Sequence, residues 1–147
     1  AMLGKGLAIG PQGVCFSAER ATEATSSSHG IDDVCGLVDM KVPDVYSAEL
    51  SEFVMKAGAR LMEQQMRPDV LYLSTTDYIQ HKHAPGTPIA NAFYAMLDRY
   101  LQRLDELGAD IAVTADHGMN AKHTAEGEPA VVYVQTLAEA HCGAGAC

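Results

Sequence analysis

Two short polar clusters hold the residue types and spacings of metal ligands. The first is Asp77 with His81, and the second is Asp116 followed directly by His117 and Gly118. A carboxylate oxygen and an imidazole nitrogen both bind Zn²⁺ at about 2.0–2.2 Å. If the chain turns helical near Asp77, a spacing of one turn projects Asp77 and His81 from one face. The same spacing also serves an Asp–His helical pair or a helix cap. Asp116 and His117 are two adjacent metal-competent side chains, and Gly118 lets the backbone turn sharply and approach a ligand closely. A turn with an Asp cap is the bland alternative there. Taken together, the pairs point to a shared site in which two metals about 4 Å apart clamp a phosphoryl-like group.

Other polar residues carry weaker signals. His83 would leave the His81 face of a helix, which suits an outer or exposed role. His123, in Asn120-Ala121-Lys122-His123, reads as a loop residue near the mouth of the site. There it touches substrate, orients a ligand or faces solvent. The run Ser26-Ser27-Ser28 reads as a solvated loop, because no base or nucleophile elbow surrounds it. Cys15, Cys35, Cys142 and Cys147 form no CxxC pair and read as reduced, cytoplasmic thiols.

The elements that must position these residues follow from periodicity. Before residue 47 no helical period is sustained, and glycines and prolines punctuate short strands and loops, as in part of a cap or insertion region over 1–46. From Ser47, a candidate N-cap, the residues Leu50, Phe53, Val54, Ala57, Leu61 and Met62 recur at helical spacing up to Arg67-Pro68. Gly58 within that helix costs about 1 kcal/mol relative to Ala. Residues 69–74 then read as a short apolar strand. A second helix is expected over 88–107, with Pro88 in its first turn and Gly108 as its stop. Residues 110–115 and 130–135 read as two further strands. Strands alternating with helices predict an α/β fold, a mostly parallel sheet with helices on both faces, over 47–147. Ligands in such sheets gather beyond the carboxyl ends of strands, where both clusters would fall.

Composition narrows the class. The chain has 147 residues, 48% of them hydrophobic, which is enough for a packed core. No apolar run approaches the roughly 18 residues of a membrane span, and no export signal is visible. With 19 acidic residues against 10 Lys plus Arg, the formal charge is −9, which disfavours a nucleic-acid surface. An anionic substrate stays compatible, since a bound metal reverses the local field.

Asp-x-x-x-His after an apolar run, followed later by Asp-His-Gly-Met, resembles the alkaline phosphatase superfamily and its nucleotide pyrophosphatase/phosphodiesterase-like branch. Within that branch, Tyr72 to Lys82 and Ala115 to His123 are most similar to the phosphonoacetate hydrolase family, and the likeness extends to Gly4-Lys5-Gly6-Leu7. The resemblance implies zinc-dependent cleavage of the carbon–phosphorus bond of phosphonoacetate to acetate and phosphate. It implies one zinc on Asp77 and His81 and a second on Asp116 and His117. The family adds a late His to the first site, and an early Asp and a threonine nucleophile to the second. Cap lysines of the family grip the substrate carboxylate. Counterparts of the nucleophile and of those further ligands are not recognisable here. An interior segment of a longer enzyme, with negligible turnover alone, is therefore expected.

Two other readings compete. One is a phosphodiesterase or phosphomonoesterase using the same metals on a P–O bond, and the other a non-catalytic metal-binding domain. Asp/His ligation also suits Mn²⁺ or Fe²⁺. The expected partners are a small phosphonate or phosphate ester, with no nucleic acid or membrane, and a homo-oligomer is compatible with the family.

Overall fold

The helical stripe expected after Ser47 is formed, with Ser47 at the N-cap position of a helix that begins at Ala48. A computed structural model of the chain describes residues 13–64 and 67–145. The stretch Gly4 to Leu7 and Cys147 lie outside the described residues. The chain divides into two units, the first ending at Asp116 and the second opening at His117.

In the first unit, a 3₁₀ segment spans Ala18–Glu23, and short helices α1 (Ser26–His29) and α2 (Val34–Val38) follow. These elements replace the short strands expected before residue 47. The serine run forms α1 rather than a loop. Thr25 caps it through Ser28 N–H, and Ser26 bonds Asp32 through both its backbone and its hydroxyl. That hydrogen bonding holds the Asp32 carboxyl below its ordinary value.

Helix α3 (Ala48–Glu63) follows the predicted stripe, burying Leu50, Phe53, Ala57 and Met62. Ser47 takes the N-cap position but makes no side-chain cap bond, because its hydroxyl instead donates to Asp44 C=O at 2.8 Å. After α3 come the short helix α4 (Tyr78–Lys82) and the long helix α5 (Pro88–Glu106). Thr87 caps α5 by accepting from Ala90 N–H at 3.4 Å, and Pro88 occupies the first turn. At its end Gly108 has φ +81°, with Gly108 N–H on Asp105 C=O and Ala109 N–H on Leu104 C=O. This is a Schellman stop, and it needs the left-handed backbone that glycine adopts without steric cost.

Three apolar clusters hold the unit together. Val34 and Val38 of α2 pack with Leu50, Phe53 and Ala57 of α3 and with Ala18 and Ala21. Met55 and Met62 of α3 meet Leu104 of α5, with Leu71 and Leu73 against them. Ile79 of α4 meets Phe93 and Met96 of α5. Arg103 of α5 bonds Glu63 of α3 at 2.8 Å, and Arg60 holds the same carboxylate at 2.9 Å.

The second unit has one antiparallel bridge, His123 with Pro129, closed around a turn in which Thr124 N–H donates to Glu128 C=O at 2.7 Å. Helix α6 spans Val134–Cys142. None of the described residues of this unit is buried.

The expected mostly parallel sheet with helices on both faces is not formed. Among the described residues that isolated bridge is the sole strand-type pairing, and 69–74, 110–115 and 130–133 are irregular. A parallel strand needs a hydrogen-bonded neighbour and cover on both faces. The 69–74 segment has cover on one face only. Leu71 and Leu73 pack inward, while Val70 is 86% and Tyr72 69% exposed. Val113 of the second segment is 75% exposed. In the third, helix α6 starts at Val134, supported by a Gln135–Glu139 side-chain bond of 3.0 Å one turn apart. Local helical preference prevails where no neighbouring strand competes.

Among the described residues no helix is long and apolar enough to cross a membrane. Cys15, Cys35 and Cys142 carry free thiols.

Candidate functional site

The Asp77/His81 pair is assembled within α4. Asp77 occupies the N-cap position, where its carbonyl accepts from His81 N–H at 3.0 Å and closes the first turn. Its carboxylate makes no cap bond, so the cap reading of this spacing does not hold. Instead His81 Nε2 donates to Asp77 Oδ2 at 2.9 Å, on an exposed face. Two donors each about 2.0–2.1 Å from a tetrahedral ion stand roughly 3.3 Å apart. The pair thus fits a shared metal with a few tenths of an ångström of adjustment.

The other side of α4 explains this presentation. Ile79 is buried against Phe93 and Met96, which turns Asp77 and His81 outward. Beside them Tyr78 lies 6.1 Å from the Tyr46 ring, and Lys82 Nζ stands 6.0 Å from the Tyr78 ring centroid. His83 closes the helix, half-buried, donating its N–H to Ile79 C=O at 2.9 Å.

Asp116 is the last residue of the first unit and His117 the first of the second, and both are exposed. His117 Nδ1 lies 3.1 Å from Gly118 C=O. Gly118 has open space where a Cβ would stand and no positive φ. The backbone bend of this stretch falls at Asp116. His123 is exposed beside the second unit's turn. Among the described residues, no three His, Cys, Asp or Glu side chains gather into a metal-holding group.

One residue near the pair escaped the sequence reading. Ser51, on the apolar side of α3 and 1% exposed, accepts from Thr76 N–H at 3.1 Å, immediately before Asp77. Its only signal in the sequence is a polar residue inside a buried stripe. A hollow of about 520 Å³ lined by Thr22, Cys35, Asp39, Met40, Lys41 and Val42 includes none of the four predicted ligands.

Comparison with known proteins places these residues in context. Residues 20–140 match the family model described as type I phosphodiesterase / nucleotide pyrophosphatase. The chain is similar to the crystal structure of a phosphonoacetate hydrolase from Sinorhizobium meliloti 1021 in complex with phosphonoformate, at 56% identity and a TM-score of 0.80. The match covers 97% of this chain and 35% of that one. The structure of that hydrolase in complex with phosphonoacetate matches equally, at 56% identity, a TM-score of 0.80 and the same two coverages. The chain thus spans about a third of the length of these solved relatives.

Proposed function

The chain belongs to the type I phosphodiesterase / nucleotide pyrophosphatase family, and from that premise we propose that it serves the hydrolysis of phosphonoacetate to acetate and phosphate. The observation that carries this reading is 56% identity over 97% of the chain to a hydrolase holding phosphonoacetate. In this reading Asp77 and His81 hold one zinc, and Asp116 and His117 hold a second.

When bound, zinc would supply Lewis-acid stabilisation of the phosphoryl oxygens. The chain's own contribution is positioning. Asp77 brings a negative charge and His81 a neutral donor, and the hydrogen bond between them keeps both aimed at one point before a metal arrives. An oxygen nucleophile must form a P–O bond as the C–P bond breaks. The electron pair leaves as a carbanion that is tolerable as the enolate of its adjacent carboxylate and is then protonated to acetate. A cation near that carboxylate would lower the barrier as well as aid binding. A nucleophile is not identified among these residues, so turnover is expected only where one is supplied. The reading includes a cytoplasmic setting, supported by cysteines without a disulfide-type pattern.

The test is ³¹P NMR of phosphonoacetate titrated with the chain and Zn²⁺. Saturable binding that disappears in Asp77→Asn is expected, with weaker binding of p-nitrophenyl phosphate. Phosphonoacetate binding that ignores both zinc and Asp77 would refute the proposal. Tighter binding of the phosphate ester would favour P–O bond hydrolysis, the reading to which the family model points.

A further inference from the structure

Residues 68–76 lead into the Asp77/His81 pair without a strand ladder to hold them. Among the described residues, this stretch makes hydrogen bonds with Ser51 alone: Thr76 N–H donates to Ser51 Oγ at 3.1 Å, and the two hydroxyls lie 3.3 Å apart. Ser51 is itself fixed, as the buried polar residue of α3, between Leu50 and the core residue Phe53. Thr76 is half-buried, and with no hydrogen bond to any other residue holding the stretch among the described residues, this bond sets where the backbone passes. The next residue is Asp77, whose carbonyl closes the first turn of α4 and whose carboxylate meets His81. Gly58, two turns further along α3, admits Leu73 of the same stretch at close range.

We infer that Ser51 is a positioning residue for the Asp77/His81 ligand pair, acting through the backbone of Thr76. Helix α3 is the frame, and Ser51 is the polar point at which the ligand-bearing segment is registered on it. Outer residues that orient a ligand typically change metal affinity 10–100-fold when removed. A single backbone hydrogen bond one residue from the ligand belongs at the lower end. The inference rests on the proposed metal ligation by Asp77 and His81.

The experiment titrates the chain with Co²⁺ and follows the paramagnetic shifts of the His81 ring protons, with hydrogen exchange of the Thr76 amide as a metal-free readout. Ser51→Ala should weaken Co²⁺ binding about tenfold and speed Thr76 exchange. Val34→Ala, a core truncation in α2, should lower stability yet leave Co²⁺ affinity within about twofold. Ser51→Cys keeps the volume but offers a weak acceptor, and should weaken binding several-fold if Ser51→Ala proves unstable. Equal losses of affinity in Ser51→Ala and Val34→Ala, or full affinity in Ser51→Cys, would overturn the positioning role. An absence of His81 shifts in the unaltered chain would overturn the metal reading itself.

Discussion

Gly58 sits inside α3, where glycine is unfavourable, and replacing it with alanine isolates the reason it stands there. By helix propensity alone Gly58→Ala stabilises by about 1 kcal/mol. The tertiary structure opposes that gain. A Cβ at Gly58 would stand 2.6 and 2.8 Å from the two Leu73 methyl carbons and 3.2 Å from Leu73 Cγ. Leu73 is partly buried against the cluster of Met55, Met62 and Leu104, so its methyls can yield only by giving up that packing. Overpacking of this kind costs about 1–3 kcal/mol, which leaves a net loss of about 1 kcal/mol. For a chain of this size that loss lowers Tm by roughly 2–4 °C, measured by circular dichroism at 222 nm. The sign should reverse in a Leu73→Ala background, where the obstructing atoms are gone and only propensity remains. The coupling between the two sites would then be about 2 kcal/mol, within the usual range for residues in contact. A rise in Tm for Gly58→Ala in the unaltered background would refute the argument, because it would mean that Leu73 yields freely.

Three further outcomes follow from the same packing. Phe53→Ala removes a ring that is 0% exposed at the junction of α2 and α3, and should cost about 3–5 kcal/mol in urea unfolding. Thr87→Ala removes the hydroxyl that caps α5 and should cost about 1 kcal/mol by the same measurement, whereas Thr87→Ser should retain most of it. The Glu63 carboxyl is held below its ordinary value of 4.5, chiefly by its hydrogen bond to Arg103 and then by that to Arg60. Its stabilising contribution is therefore complete above pH 4.5 and is lost as pH falls through the lower folded value. Tm followed from pH 6 to pH 3 should fall less steeply in Glu63→Gln, and an unchanged slope would remove Glu63 from the acid response.

Residues legible in the sequence are those whose structure depends on near neighbours. The apolar stripe from Leu50 to Met62, the Thr87-Pro88 opening of α5 and its Gly108 stop all rest on contacts within about one turn. The Asp77–His81 pair belongs with them, since a spacing of one turn brings the two side chains together as soon as α4 forms. The apolar runs at 69–74, 110–115 and 130–135 read as strands and are irregular or, from Val134, helical instead, for the opposite reason. A strand is completed by hydrogen bonds to another segment, and an apolar run does not reveal whether that segment is in place. Here it is absent among the described residues, and the parallel sheet is absent with it.

Two residues that read as local imperfections acquired roles only in three dimensions. Gly58 reads as a weak point in a helix until Leu73 is found against it, and Ser51 reads as a polar interruption until Thr76 N–H is found on its hydroxyl. By itself the sequence determined the apolar stripe of α3, the opening and stop of α5 and the one-turn spacing of Asp77 and His81, because backbone propensity and side-chain spacing act over one turn. The tertiary structure alone decided which segments stay irregular and what holds Asp77 in place. Those outcomes depend on partners 15 to 25 residues away, at Gly58 with Leu73 and at Ser51 with Thr76, which only packing brings into contact.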